Sequence, residues 1–323
     1  MVMQFFQKGP GHYVIDPDLT TQHNNTGIYG SLGWALNQAS TRCVELVPGT
    51  YQMNGTLTTS NNGVMIRGAG ECSRIYYQRS ANDTILHIQG NDTILDNFRI
   101  DEGRTSYISY SDPCIDIDNV SNCIVKNCFF TGITGENVIK INGGDYCKVF
   151  NNFIDSWTNR SVYSLFGIDA MIYNNIINSR YGVAIVLSSN PVNGIIVTRN
   201  IINMHANARA IWAGTSAYPN VICKNMIKYS GSYGPTNDSA LALAGYSVAA
   251  RNFIEANWTS NTNGIIVSAS NNLVMENRIR YFSYGVWKAA VSSGYVMYNL
   301  ITNCSSGEVY NFNVGYDALC AMN

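Results

Sequence analysis

Charge is what this 323-residue chain has least of: Asp, Glu, Lys and Arg together make up 13% of it, about half the usual globular share. The formal net charge is −1. A chain so sparsely and evenly charged lacks the basic footprint of a nucleic-acid binder and has no pull toward anionic membranes. Long apolar runs are missing too. The opening "MVMQFFQKGPGHYVIDPD" holds no stretch long enough for a signal peptide. No segment approaches the ~18 continuous apolar residues of a membrane span. Nor is there a CxxC spacing among the nine cysteines, which argues against a zinc site. Cys114, Cys123, Cys147 and Cys223 sit in or beside apolar runs and read as buried small hydrophobes, while Cys304 and Cys320 are candidates for a staple near the C-terminal end.

What the chain does have is asparagine, 40 of them, with 21 tyrosines. Polarity therefore comes from amides and hydroxyls, which suits sugars and also suits an extracellular solenoid. Nine Asn-x-Ser/Thr triplets are present where this composition gives roughly six by chance, and they are not read as glycosylation.

The asparagines are periodic. "KVFNNFID" (148–155), "MIYNNIIN" (171–178), "IIVTRNIIN" (195–203), "VICKNMIK" (221–228), "VAARNFIE" (248–255), "LVMENRIR" (273–280) and "YVMYNLIT" (295–302) are variants of one phrase. Aligned, they place Asn97, Asn127, Asn152, Asn175, Asn200, Asn225, Asn252, Asn277 and Asn299 at intervals of 22 to 30 residues, most often 25. A period of that size means stacked repeats, and alternating β-branched residues around each asparagine mean strands. Each unit carries a second apolar phrase, such as "CIDID" (114–118), "VIKIN" (138–142) or "ALALA" (240–244). The fold expected is all-β, a single-chain parallel β-helix of ten or eleven coils with a period near 25. Each repeated asparagine is expected at a tight corner in the left-handed region, where Asn is tolerated, bonding its counterpart one coil away.

"CVELVPGTY" (43–51), "GVMIRGAG" (63–70) and the N-x-I coils resemble the pectate-lyase-like right-handed parallel β-helix superfamily over about residues 30–305. The resemblance implies a right-handed coil, an N-terminal cap and a groove over the first strand of each coil. "GSLGWALNQAS" (30–40) would be the capping helix, residues 1–29 an irregular arm, and residues 306–323 a C-terminal cap.

Taking the residue between two inward apolar positions as outward gives a column: His87, Asp116, Lys140, Asp169, Ala184, Trp212, Ala242, Ile266, Trp287. The next outward position contributes Asp118 and Asn142. Ionisable residues beside the aromatic pair Trp212 and Trp287 are what a sugar groove needs. Asp116 and Asp169, two coils apart, would stand ~9–10 Å from each other, near the spacing of an inverting glycosidase. In a lyase or epimerase, His87 or Lys140 would take the proton beside a uronate carboxylate held by Arg160 or Arg209. "SDPCIDID" (111–118) is similar to the acidic motif of a polygalacturonase coil, which implies Asp112 as an acid. Glu136-Asn137 stands where that family has paired aspartates, and its Gly-His-Gly and Arg-x-Lys are missing. The expected partner is a polysaccharide, with hydrolase or lyase chemistry in the groove. The alternative is a non-catalytic glycan-binding surface or virion protein, monomeric or trimeric. The setting expected is extracellular or cell-surface. Asp112, Asp116 and Asp118 offer oxygen ligands of the kind calcium takes, so calcium is kept as a candidate cofactor.

Overall fold

A computed structural model describes residues 6–19, 30–77, 79, 82–165, 168–188, 194–205, 208–215, 218–230, 239–288, 294–310 and 318–319. The chain divides into two compact units, Met1–Thr158 and Asn159–Asn323. Both are parallel β-solenoids, in which strands pair with their counterparts one coil on.

In the first unit, the strands Cys43–Leu46, Met65–Tyr76, Ile94–Asp101, Ile124–Lys126 and Lys148–Phe150 stack in parallel. Their inward residues Val44, Ile66, Leu95, Val125 and Val149 lie in register and are buried. A second sheet holds Leu57–Thr59, Leu86–Ile88, Ile115–Asp118 and the end of Phe129–Asn142. Residues 6–15, expected in an irregular arm, contain two antiparallel strands, Phe6–Gly9 and His12–Ile15. The second of these pairs in parallel with Cys43–Leu46. The helix is shorter than expected, Leu32–Leu36, with Ser31 accepting from the Trp34 amide as its N-cap.

In the second unit the same grammar repeats. Ile177, Ile202, Ile227, Ile254, Ile279 and Ile301 form one in-register column, all 3% exposed or less. Each such burial contributes roughly 1.5–3 kcal/mol of transfer energy. Beside it run the buried amides of Asn175, Asn200, Asn225, Asn252, Asn277 and Asn299. Asn200 Nδ2 donates to Asn225 Oδ1 at 3.0 Å, Asn225 Nδ2 to Asn252 Oδ1 at 3.0 Å, and Asn252 Nδ2 to Asn277 Oδ1 at 2.9 Å.

These asparagines are not the left-handed residues. Positive φ falls one place earlier, at Asn174, Arg199, Lys224, Arg251, Glu276 and Tyr298. Most of those are not Asn, so the corner is enforced by the stack and not by a residue's own preference. In the first unit, Asn97 and Asn127 themselves have positive φ. They correspond to Asn151, which has φ 56, and not to Asn152. The buried places matching Asn152 are filled by Phe98 and Cys128, and the Cys128 amide donates to Asn152 Oδ1 at 2.9 Å.

One buried ion pair fixes the irregular passage that leads into Ile115–Asp118. Arg79 and Glu102 are both fully buried and paired. Arg79 also donates to the carbonyls of Asp83 at 3.0 Å, Asp112 at 2.9 Å and Thr134, and its guanidinium lies 5.1 Å from the Tyr110 ring centre. Glu102 accepts from the Thr134 amide at 3.0 Å. A lysine keeps the charge but not the planar fork. Arg79→Lys is therefore expected to cost about 2 kcal/mol through the carbonyls it leaves unpaired, read as a lower denaturation midpoint with an unchanged slope.

Candidate functional site

The site is built on the outward face of the second sheet of the first unit. His87, Asp116 and Lys140 lie in register on Leu86–Ile88, Ile115–Asp118 and Phe129–Asn142. Asp118 and Asn142 are paired two residues further along. Alternation along each strand forces this, because Ile115, Ile117, Ile139 and Ile141 take the interior and are 1% exposed or less.

The charges here are close but loosely joined. Lys140 Nζ stands 3.9 Å from Asp116 Oδ1, and His87 Nε2 stands 3.9 Å from Asp118 Oδ2. Asp116 Oδ1 and His87 Nε2 are both sealed from solvent without a hydrogen-bond partner. Asp118 is better supplied: its Oδ1 accepts from Asn142 Nδ2 at 2.8 Å and from Asn119 Nδ2 at 3.0 Å. Asp116 has a side-chain exposure of 17%. Burial pushes its carboxyl above the ordinary carboxylate range, and the attraction of Lys140 and His87 offsets this only in part. Desolvation here outweighs the pull of the Lys140 cation.

A contrast in the same unit shows that this looseness is specific. On the neighbouring sheet, Glu45 is clasped by Lys8 and Arg67, and Asp96 is paired with Lys126 at 3.5 Å and accepts from Asn127 at 2.8 Å. Those carboxylates are consumed by the fold. The Asp116 carboxylate is not.

Asp112 lies just upstream, half-buried, with Ser111 Oγ donating to its Oδ1 at 3.1 Å. Its charge is felt by Asp116. Glu136 lies on the strand Phe129–Asn142 and is half-buried.

Asp169 is not in a strand. It sits at a bend with φ 50, just before Met171–Tyr173, and a side chain added at Gly194 would come within 2.6 Å of its Oδ1. In the second unit the outward column runs Tyr163, Val186, Trp212, Ala242, Ile266, Trp287. Tyr163 and Val186 thus stand where Asp169 and Ala184 were expected; Ala184 is fully buried. Trp212 and Trp287 are half-buried, while Ala242 and Ile266 between them are 3% and 6% exposed. Three coil spacings put the two indoles ~14 Å apart.

Arg160 belongs to the strand Phe153–Leu165. Its guanidinium lies 4.6 Å from the Tyr163 ring centre, and that of Arg209 lies 5.6 Å from the Trp212 ring. Both cations stand beside aromatic rings of the column. Tyr229 is 1% exposed and donates to the Ala208 carbonyl at 2.8 Å. Cys320 lies outside the described residues. Cys223 faces outward, half-buried, with Sγ 3.3 Å from Thr198 Oγ1.

Among the described residues, one group has three ligand atoms within 4.8 Å of one another: His12, Cys43 and Glu45. Glu45 is already neutralised there by Lys8 and Arg67, which disfavours a cation. For calcium at Asp112, Asp116 and Asp118, Lys140 stands against the first carboxylate a cation would need.

No family model matches the chain, and no curated protein matches it. No helix among the described residues is long and apolar enough to cross a membrane. Solved structures do match. A DFA-IIIase from Arthrobacter chlorophenolicus A6 is 12% identical with a TM-score of 0.65, over 93% of this chain and 82% of that one. The same protein in complex with GF2 gives 13% and 0.62, over 90% and 83%. PfbA, a surface adhesin of Streptococcus pneumoniae, gives 13% and 0.61, over 91% and 92%. Likeness at such low identity is likeness of fold alone, and the fold is the right-handed parallel β-helix.

Proposed function

We propose that this chain is a carbohydrate-active protein that cleaves or modifies a polysaccharide, in the manner of a glycoside hydrolase or a polysaccharide lyase. The observation that carries this reading is Asp116: a carboxylate on an outward face, held above its ordinary range by burial, with one oxygen that accepts no hydrogen bond among the described residues. Its neighbour Asp118 is two residues along the same face, ~6.6–6.8 Å away along the strand. Backbone positions so spaced allow the two carboxyls to stand near the short end of the separation at which one donates a proton while the other activates water. Asp118 accordingly replaces Asp169 as the second carboxylate, with Asp116 as acid and Asp118 as base. In a lyase, His87 is the base and Lys140 holds the substrate. Asp112 and Glu136 stay candidates at the edge of the groove. The rings of Trp212 and Trp287, with Arg209 and Arg160 beside their column, are proposed to bind sugar by stacking and hydrogen bonds.

A panel of polysaccharides, with and without calcium, tests the proposal by following new reducing ends and unsaturated-uronate absorbance together. Reducing ends alone mean hydrolysis; both signals mean β-elimination. Trp212→Ala is expected to weaken binding of an active polymer roughly tenfold, the scale of one lost stacking contact, seen as a raised KM with little change in kcat.

The second reading is a glycan-binding surface or virion protein without catalysis. The exposed rings Tyr218 at 58%, Tyr295 at 58% and Tyr298 at 60% favour it, as does the likeness in fold to a surface adhesin. Retained glycan binding with neither signal across the panel would select it. Under either reading the chain works outside the cell or at a surface.

A further inference from the structure

The charges that surround Asp116 narrow the class of sugar. From its own strand comes Asp118, from the residues leading into that strand Asp112, from the strand before His87, and from the strand after Lys140. Three carboxylates therefore face one permanent cation and one imidazole. Both already face a carboxylate, at a distance too long for a hydrogen bond: Lys140 stands against Asp116 and His87 against Asp118, each at 3.9 Å. A uronate carboxylate docked here would be a fourth negative charge in a half-buried place, with no cation left to meet it. A hydroxyl meets a different situation. Asp116 Oδ1 accepts and His87 Nε2 donates or accepts; neither has a hydrogen-bond partner among the described residues, and the two residues sit in register on adjacent strands, whose backbones run ~4.8 Å apart. A sugar hydroxyl both donates and accepts, so neighbouring hydroxyls fill both vacant positions without importing charge.

Resting on the carbohydrate reading above, we infer that the substrate is a neutral glycan, bound through its hydroxyls to Asp116 and His87, and not a polyuronate. It follows that the site runs hydrolase-type and not β-elimination chemistry, since elimination needs the acidic proton beside a uronate carboxyl.

The test uses the full chain and a panel divided into neutral polymers (dextran, xylan, galactomannan, inulin) and uronate polymers (polygalacturonate, alginate, hyaluronan), read by affinity electrophoresis and by reducing ends. The expected result is binding or turnover of at least one neutral polymer and of no uronate polymer. That binding should change no more than about twofold over a tenfold range of salt, because no charge pair is screened. Asp116→Ala should weaken it at least ~10-fold, the scale of a hydrogen bond lost to a charged group; should that variant not fold by circular dichroism, His87→Phe is measured instead. Binding or turnover of a uronate polymer overturns the inference and leaves the carbohydrate site standing. Neutral binding untouched by either substitution also overturns it. No binding to any polymer removes the carbohydrate reading and this inference together.

Discussion

Asp116→Asn is expected to cut turnover by about 10²–10⁴-fold, the range a positioned acid–base group supplies, and at the same time to raise the melting temperature near neutral pH. The two effects share one cause. Burial lifts the Asp116 carboxyl above its ordinary range, so the folded chain binds that proton more tightly than the unfolded chain does. Ionising Asp116 in the fold then costs stability. The cost is absent below the unfolded carboxylate value of about 3.9. It grows as pH rises through that value and is complete once pH exceeds the folded value. Asparagine has the same shape, carries no charge and escapes the cost. The contact it gives up, with Lys140 at 3.9 Å and 26% exposed, is the weak kind that contributes ~0–1 kcal/mol. The variant should therefore melt above the parent near neutral pH by a margin that closes as pH falls through the carboxylate range. Initial rates and melts of both proteins across that range check it. A variant that keeps turnover within tenfold, or melts below the parent at neutral pH, removes Asp116 from the centre of the site.

The sequence carried the parts of this protein that obey a period, and hid those that break it. The isoleucine and asparagine phrases mark strands because inward and outward residues alternate in polarity. The outward column His87, Asp116, Lys140 was legible because each member stands between two apolar residues. It was lost at the next coil, where the strand Phe153–Leu165 buries Ser156, Thr158, Ser161 and Ser164. Hydroxyls replace aliphatic side chains on its inner face, so the segment reads as a polar loop and the short apolar phrase "GIDA" (167–170) beyond it reads as the strand. Asp169 was drawn into the column by that slip. The corner residue was misplaced for another reason. Arg199, Lys224, Arg251 and Glu276 hold positive φ, which no local preference announces; the stacked strands on either side impose it. The unsatisfied oxygen of Asp116 had no sequence signal at all, because it depends on how far Lys140 reaches and on what burial removes.

Asn225→Ala is expected to be the most destabilising of these substitutions, at roughly 3–5 kcal/mol, the sum of several buried polar groups left unpaired. Asn225 is 1% exposed. Its Oδ1 accepts from both the amide and the Nδ2 of Asn200, each at 3.0 Å. Its Nδ2 donates to Asn252 Oδ1 and to the Val197 carbonyl, each at 3.0 Å. Alanine removes four buried hydrogen bonds at once: the Asn200 amide and the Val197 carbonyl lose this partner outright, while Asn200 Nδ2 keeps only the Ile172 carbonyl and Asn252 Oδ1 only the amide of residue 225. Aspartate is nearly as costly for a different reason. It still accepts from Asn200, but it sets a carboxylate oxygen against the oxygens of Asn252 and Val197. Asn299 marks the other limit: its Nδ2 donates to the Val274 and Met297 carbonyls, at 2.9 and 3.1 Å, and its Oδ1 accepts from Asn277. Asn299→Ala takes the acceptor from Asn277 but, among the described residues, breaks no link to an asparagine on its far side, and should cost about 1 kcal/mol less, one hydrogen bond's share. Chemical denaturation of the three variants gives the order. If Asn225→Ala unfolds within ~1 kcal/mol of the parent, the row is spacing and not bonding, and the stack is held by the isoleucine column alone.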